Sequence, residues 1–246
     1  MLELKAVSKS FGGLRATDDV SLVVPEGHIV SLIGPNGAGK TTLFAIASGF
    51  LKPDSGSIRF LGQDVTGLPP HEVCRLGLVR TFQVVKPFAE QSVRENILVG
   101  AYLRCGSRRE AAEKAEAVAE LVGMSDRLDA AAASLTVAGR KRLELAKALA
   151  TAPKLLLLDE VMAGLNPTEI EEIIPVIRRI REAGVTIMLI EHVMQAVMKL
   201  SEHTWVLNQG RLIAEGAPEE IVRNPDVIEA YLGHGLAARM EKLEDA

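Results

Sequence analysis

Eight residues, GPNGAGKT at positions 34–41, constrain this chain more than any other stretch. They follow the apolar run HIVSLI (28–33) and lead into TTLFAIASGF (41–50). There Phe44, Ala47 and Ser48 fall on one helical face, and Gly49 stands where a helix would end. A run apolar at nearly every position suits a parallel strand buried on both faces. Strand, glycine-rich loop and helix therefore form one unit. The glycines let successive backbone amides turn inward as an anion nest, and the helix N-terminus adds its dipole. Lys40 stands where it reaches β- and γ-phosphates, and the Thr41 hydroxyl stands where it ligates Mg2+. The chemistry of such a loop is nucleotide binding.

Two more buried strands end in polar residues. KLLLLDE (154–160) closes on two acids, and in a parallel sheet a strand's C-terminal end lies beside the phosphate loop. Asp159 is placed to hold the Mg2+ shell, and Glu160 to polarise a water. VTIMLI (185–190) is followed by Glu191 and His192, which repeat that arrangement and make His192 a candidate contact for the γ-phosphate. Gln83, after Thr81 and Phe82, has no role that spacing alone assigns.

Between these strands the pattern is helical from about 89 to 150. In SRREAAEKAEAVAELVG, Ala111, Ala115, Val118 and Val122 make an inner stripe, Gly123 follows, and Glu110–Lys114 has the favourable i, i+4 spacing on the outer face. RKRLELAKALA (140–150) is a second helix. Asn166 and Pro167 start a third, with an isoleucine stripe from Ile170 to Ile180 and Pro175 expected to kink it. LELKAVSKSF, DDVSLVV and SIRFLG read as strands, PPHEVCRLG as a short helix, and TWVLNQGRLIAEG as a hairpin around Asn208–Gly210.

Composition excludes several classes. With 24% charged residues and 48% hydrophobic ones, the 246-residue chain is not of the disordered type. A net charge of −4 gives no general electrostatic reason to bind nucleic acid. No apolar run approaches the roughly 18 residues of a membrane helix, and the opening MLELKAVSKSF is not expected to be a signal peptide. Cys74 and Cys105 make neither a disulfide framework nor a metal site, which fits a reduced, cytosolic setting.

Taken together, the motifs resemble the ATP-binding subunit of an ABC transporter across almost the whole chain. Beyond the loop, TFQ (81–83) resembles the Q-loop, LLLLDE the Walker B strand, AGLN (163–166) the D-loop and Glu191–His192 the H-switch. The resemblance implies an α/β P-loop NTPase fold: a RecA-like core with an antiparallel β subdomain (1–88 and 151–220), an inserted helical subdomain (89–150) and a C-terminal extension (221–246). It implies ATP and Mg2+ as ligands, with Gly34, Pro35, Asn36, Gly37, Ala38, Gly39, Lys40, Thr41 and Thr42 around the phosphates and Phe11 stacked on adenine. Asp159, through water, and Gln83 join Thr41 at the metal, Glu160 is the base, and His192 holds the γ-phosphate. The implied partners are a second ABC ATPase subunit, two transmembrane permease subunits and, indirectly, a solute-binding protein. The implied location is the cytoplasmic face of the cell membrane.

One motif departs. The family's Leu-Ser-Gly-Gly-Gln signature reads here as Leu135, Thr136, Val137, Ala138 and Gly139. Thr136 keeps the hydroxyl that would meet the partner's nucleotide, while Val137 and Ala138 replace glycines. A working but altered contact is expected, because the following helix still presents amides to phosphate. Three stretches, RTFQ (80–83), AGLNP (163–167) and especially WVLNQGRLIAEGAPEEIVRNPDVIEAYLG (205–233), resemble the branched-chain amino-acid uptake group, with relatives serving urea and short amides. A lipopolysaccharide-export type of ABC ATPase and a soluble ABC regulator without a membrane partner stand as alternatives. A kinase would leave Asp159–Glu160, LTVAG and His192 unexplained.

Overall fold

The computed structural model describes residues 1–83 and 85–232. In chain order the elements are β1 (Leu2–Phe11), β2 (Leu14–Val24), β3 (Ile29–Ile33), α1 (Lys40–Ala47), β4 (Ser55–Phe60), β5 (Gln63–Asp64), α2 (Pro70–Leu76), β6 (Leu78–Arg80), α3 (Val93–Ala101), α4 (Arg108–Leu121), α5 (Val137–Ala150), β7 (Leu155–Asp159), α6 (Pro167–Glu182), β8 (Thr186–Ile190), α7 (Met194–Leu200), β9 (His203–Asn208), β10 (Arg211–Gly216), α8 (Pro218–Ile221) and α9 (Pro225–Leu232). They fall into two compact units, one of Met1–Leu68 and the residues from Leu189 onward, the other Pro69–Met188. The stretch expected as a helical subdomain, 89–150, lies within the second. The end of the expected C-terminal extension, 233–246, lies outside the described residues.

In the first unit, β1 pairs antiparallel with β2 and with β4, giving a sheet in the order β2-β1-β4-β5. A second group joins β3 to β9 in parallel and β9 to β10 antiparallel. Every residue of β3 is buried, as its unbroken apolar run requires, and its one hydroxyl, Ser31 Oγ, is satisfied at 2.7 Å by Thr204 Oγ1 of β9. The β9–β10 hairpin turns at Gln209 and Gly210, both with positive φ (46° and 81°). Two successive left-handed residues match the twist of a two-residue hairpin.

That turn also closes the glycine-rich loop. The Gly210 amide donates to the Ala38 carbonyl at 2.9 Å, and the Gly210 carbonyl accepts from Asp18 at 2.8 Å. The loop itself leaves no room for two side chains. A Cβ on Gly34 (φ 147°) would stand 2.0 Å from the Leu207 carbonyl oxygen, and one on Gly39 (φ 105°) 2.0 Å from that of Ala16. Beyond the loop, α1 buries Phe44 and Ala47, its cap Ser48 is buried too, and Gly49 follows with φ 79°, as the spacing requires.

In the second unit, β6 and β7 pair in parallel, Arg80 standing opposite Leu157. The four leucines of β7 are fully buried. The α4 stripe Ala111, Ala115, Val118 and Val122 is inward as expected. Its outer i, i+4 ion pair is Arg109–Glu113 at 2.8 Å, whereas Glu110 turns back to accept from the Gly106 amide at 3.0 Å. An acid at a helix start is drawn to those open amides. Asn166 caps α6 in a reciprocal box with Glu169, and the helix runs as one element through Pro175.

The two kinds of loop glycine separate in a simple comparison. Gly39→Ala is expected to lower the unfolding free energy by more than about 2 kcal/mol, since backbone must move. Gly37→Ala, with open space around its Cβ and only φ 79° against it, should cost about 1 kcal/mol. Denaturant unfolding of both variants checks this; equal costs would mean that the close approach to Ala16 is not what requires glycine.

Candidate functional site

The first unit carries the loop residues and His192. Lys40, the first residue of α1, is 5% exposed, and its ammonium is folded onto its own loop, donating to the Gly34 carbonyl at 2.7 Å and the Pro35 carbonyl at 3.0 Å. Buried charge must be met by polar partners, and here the loop's carbonyls meet it. Asn36, Gly37 and the Thr41 hydroxyl side face outward, Thr42 is half-buried, and Gly34 and Ala38 are buried. Phe11 ends β1 about half exposed, with Lys9 Nζ 5.8 Å from its ring centroid. His192 is exposed just past β8. An exposed aromatic ring such as that of Phe11 is suited to stacking on a base.

The C-terminal helices reach the same loop. α8 and α9 pack Ile221 and Val227 against Ile33, the last residue before Gly34. Tyr231 of α9 lines an apolar cavity there; burial pushes its phenol above the ordinary value, and a hydrogen bond with the Gly34 backbone draws it part of the way back. Sequence reasoning did not see this contact, because nothing in the spacing of 225–232 points at residue 34.

The second unit carries the carboxylates. Asp159 closes β7 at 2% exposure, and one of its oxygens accepts from Arg80 Nη2 at 2.6 Å. The other oxygen, Oδ1, is buried with no hydrogen-bond partner among the described residues. Glu160 follows in a left-handed conformation, φ 51°, which a non-glycine residue adopts at a cost of roughly 1 kcal/mol. Its side chain is half-buried and accepts a short hydrogen bond from Gln83 Nε2. The structure therefore joins Gln83, to which spacing alone assigned no role, to Glu160.

Mg2+ fits these residues without a protein cage. Among the described residues no three His, Cys, Asp or Glu side chains gather as a metal site, and Mg2+ at a phosphate site commonly takes its ligands from phosphates, waters and one or two side chains. The orphaned Asp159 Oδ1 is a free acceptor for such a water.

Leu135 is buried, and Thr136 caps α5: its Oγ1 accepts from the Gly139 amide at 3.1 Å. Val137, Ala138 and Gly139 are the first turn of α5, which begins three residues earlier than the sequence pattern placed it. Val137 is 54% exposed, so the β-branched residue stands outward on a helix start and disturbs no packing. Gly139 sits tightly, a Cβ there lying 3.3 Å from that of Leu135.

Two basic residues were missed. Arg80 precedes the TFQ motif and is 7% exposed at its side chain; its strand, β6, is only three residues long and gave no signal in the sequence. Lys141 stands on the inner face of α5, four and eight residues before the buried Leu145 and Leu149, and a cation on an apolar stripe was the signal there.

The chain matches a family model described as ABC transporter over residues 17–163, and one described as branched-chain amino acid ATP-binding cassette transporter over 211–237. It is 43% identical to the high-affinity branched-chain amino acid transport ATP-binding protein BraF of Pseudomonas aeruginosa, over 95% of this chain and 98% of that one. The corresponding protein LivG of Escherichia coli is 42% identical over the same shares. Among solved structures, an ATP-binding cassette of an ABC transporter in its ADP conformation superposes with a TM-score of 0.87 at 33% identity, covering 95% of this chain and 99% of that one.

The Arg80–Asp159 pair should show its worth when halved. Arg80→Met leaves a buried carboxylate uncompensated and is expected to cost about 3 kcal/mol of unfolding free energy, most of it regained in the double variant with Asp159→Asn. Urea unfolding measures both; a negligible loss in the single variant would mean that water already reaches Asp159.

Proposed function

The chain belongs to the ABC transporter ATP-binding family and hydrolyses ATP, and from that footing we propose that it energises uptake of branched-chain amino acids through a membrane permease. The observation that carries the substrate is the match of 211–237, the stretch holding β10, α8 and α9, to the branched-chain family model. Identity of 42–43% along 95% of the chain to proteins bearing that activity in their names supports it.

In this reading ATP phosphates take over the ammonium of Lys40 from the Gly34 and Pro35 carbonyls, and the amides of 36–42 wrap them. Phe11 stacks on the adenine. Mg2+, when bound, neutralises charge on the phosphate oxygens and orders water around Thr41, Asp159 and Gln83. Glu160, oriented by Gln83, accepts a proton from the water that attacks the γ-phosphate, and His192 holds that phosphate's far side.

The first turn of α5 serves a second subunit. Thr136 and Val137 are exposed there, and a helix start offers amides and a favourable dipole to the nucleotide held by the partner. The permease docks on the second unit, where Phe82, Phe88, Val99, Tyr102 and Leu103 are all exposed. Exposed apolar side chains are what an interaction surface offers. No described helix is long and apolar enough to cross a membrane, so in this reading the chain works from the cytoplasmic face, and a solute-binding protein delivers the amino acid on the other.

Reconstitution with the permease subunits tests the whole reading. Labelled leucine is expected to accumulate only with ATP on the side of this chain, and Glu160→Gln should abolish accumulation while ATP stays bound in a trapped dimer. ATP turnover that leucine delivery never stimulates, with no accumulation, would overturn the substrate; full transport by Glu160→Gln would overturn the base.

A further inference from the structure

Lys141 lies in the first turns of α5 and is 6% exposed. Its ammonium donates to the Glu160 carbonyl at 3.1 Å and to the Gln83 carbonyl at 3.3 Å. These are the two residues whose side chains are hydrogen-bonded to each other. One cation therefore collects the backbones of both members of that pair. Glu160 is also the residue that leaves β7 in a strained left-handed conformation, and such strain persists only where surrounding groups over-determine it.

Packing alone does not call for this residue. The same face of α5 continues with Leu145 and Leu149, and a methionine at 141 would fill a stem-shaped space without bringing a charge out of water. A buried ammonium is kept where its hydrogen bonds accomplish something that a hydrocarbon cannot. Lys141 also sits two residues beyond Gly139, in the continuous helix that Thr136 caps. The Thr136–Gly139 turn and the ammonium that meets the Glu160 backbone therefore belong to one helix.

We propose that Lys141 is a positioning residue that holds Glu160 and Gln83 in their working geometry and links the first turn of α5 to the hydrolytic carboxylate. An anion gripped at Thr136–Gly139, such as the phosphates of a nucleotide on a second subunit, then sets the geometry of water activation through one side chain. This rests on Glu160 acting as the base. It assigns to the altered LTVAG segment a mechanical output that does not depend on the two missing glycines.

The test compares Lys141→Met, Lys141→Arg and Glu160→Gln in the purified full chain. Turnover is followed across ATP concentration, and affinity is measured separately with the non-hydrolysable analogue AMP-PNP. Lys141→Met should lower kcat at least fivefold with AMP-PNP affinity within threefold of wild type, and Lys141→Arg should restore at least a third of kcat. In the Glu160→Gln background, Lys141→Met should lower the residual turnover less than twofold, because the group it positions is already gone. Should Lys141→Met fail to fold, Lys141→Gln is held to the same kcat and affinity criteria. A smaller kcat effect, an affinity loss as large as the kcat loss, or no rescue by arginine overturns the proposal. Full turnover in Glu160→Gln would sink the base assignment instead, whereas full turnover in Lys141→Met beside an inactive Glu160→Gln sinks the Lys141 link alone.

Discussion

A single buried ammonium, Lys40, closes the glycine-rich loop on itself. Among its hydrogen bonds are those to the Gly34 and Pro35 carbonyls of the loop that carries it. The loop can bend that tightly only because Gly34 and Gly39 let the Leu207 and Ala16 carbonyls approach to distances that no side chain tolerates. The β9–β10 turn then fastens the outside of the bend through Gly210 and Ala38. Strand, hairpin and helix of the first unit are placed to hold this one bend, and the carbonyls that satisfy Lys40 are stand-ins that phosphate oxygens can replace.

The second unit follows a different logic. β7 is four leucines deep before its first charge, so Asp159 emerges into a setting where only a paired carboxylate is tolerable, and Arg80 supplies the pair. One Asp159 oxygen stays unsatisfied, Glu160 is strained, and Gln83 and Lys141 hold it from either end. Strain, an orphaned acceptor and a buried cation within a few residues are the features that distinguish a working site from a merely folded one. The altered signature is consistent with this: Val137 faces outward, and Thr136 spends its oxygen on capping the helix.

Sequence reading reached the parts that follow from local rules. GPNGAGKT, the buried β3 and β7, the α4 stripe, the Asn166 start and the Asn208–Gly210 hairpin all rest on patterns within a dozen residues, and the structure carries each. β5 and β6, of two and three residues, are too short to show a period. α5 starts earlier than its pattern suggests because Val137 and Gly139 are poor helix formers, and a cap at Thr136 overrides them. Arg80 with Asp159, Lys141 with Glu160 and Tyr231 with Gly34 are contacts between residues 19 to 197 positions apart. No local pattern encodes them.

The claim on which the rest turns is that Lys40 gives up its loop carbonyls for nucleotide phosphate. Calorimetric titration of ATP into the full chain and into Lys40→Met tests it directly. The account predicts an affinity at least about thirtyfold weaker in the variant, roughly the 2 kcal/mol of a charge-assisted contact, with the fold intact. An affinity within twofold of wild type would contradict it, and would mean that the loop amides bind phosphate without the lysine.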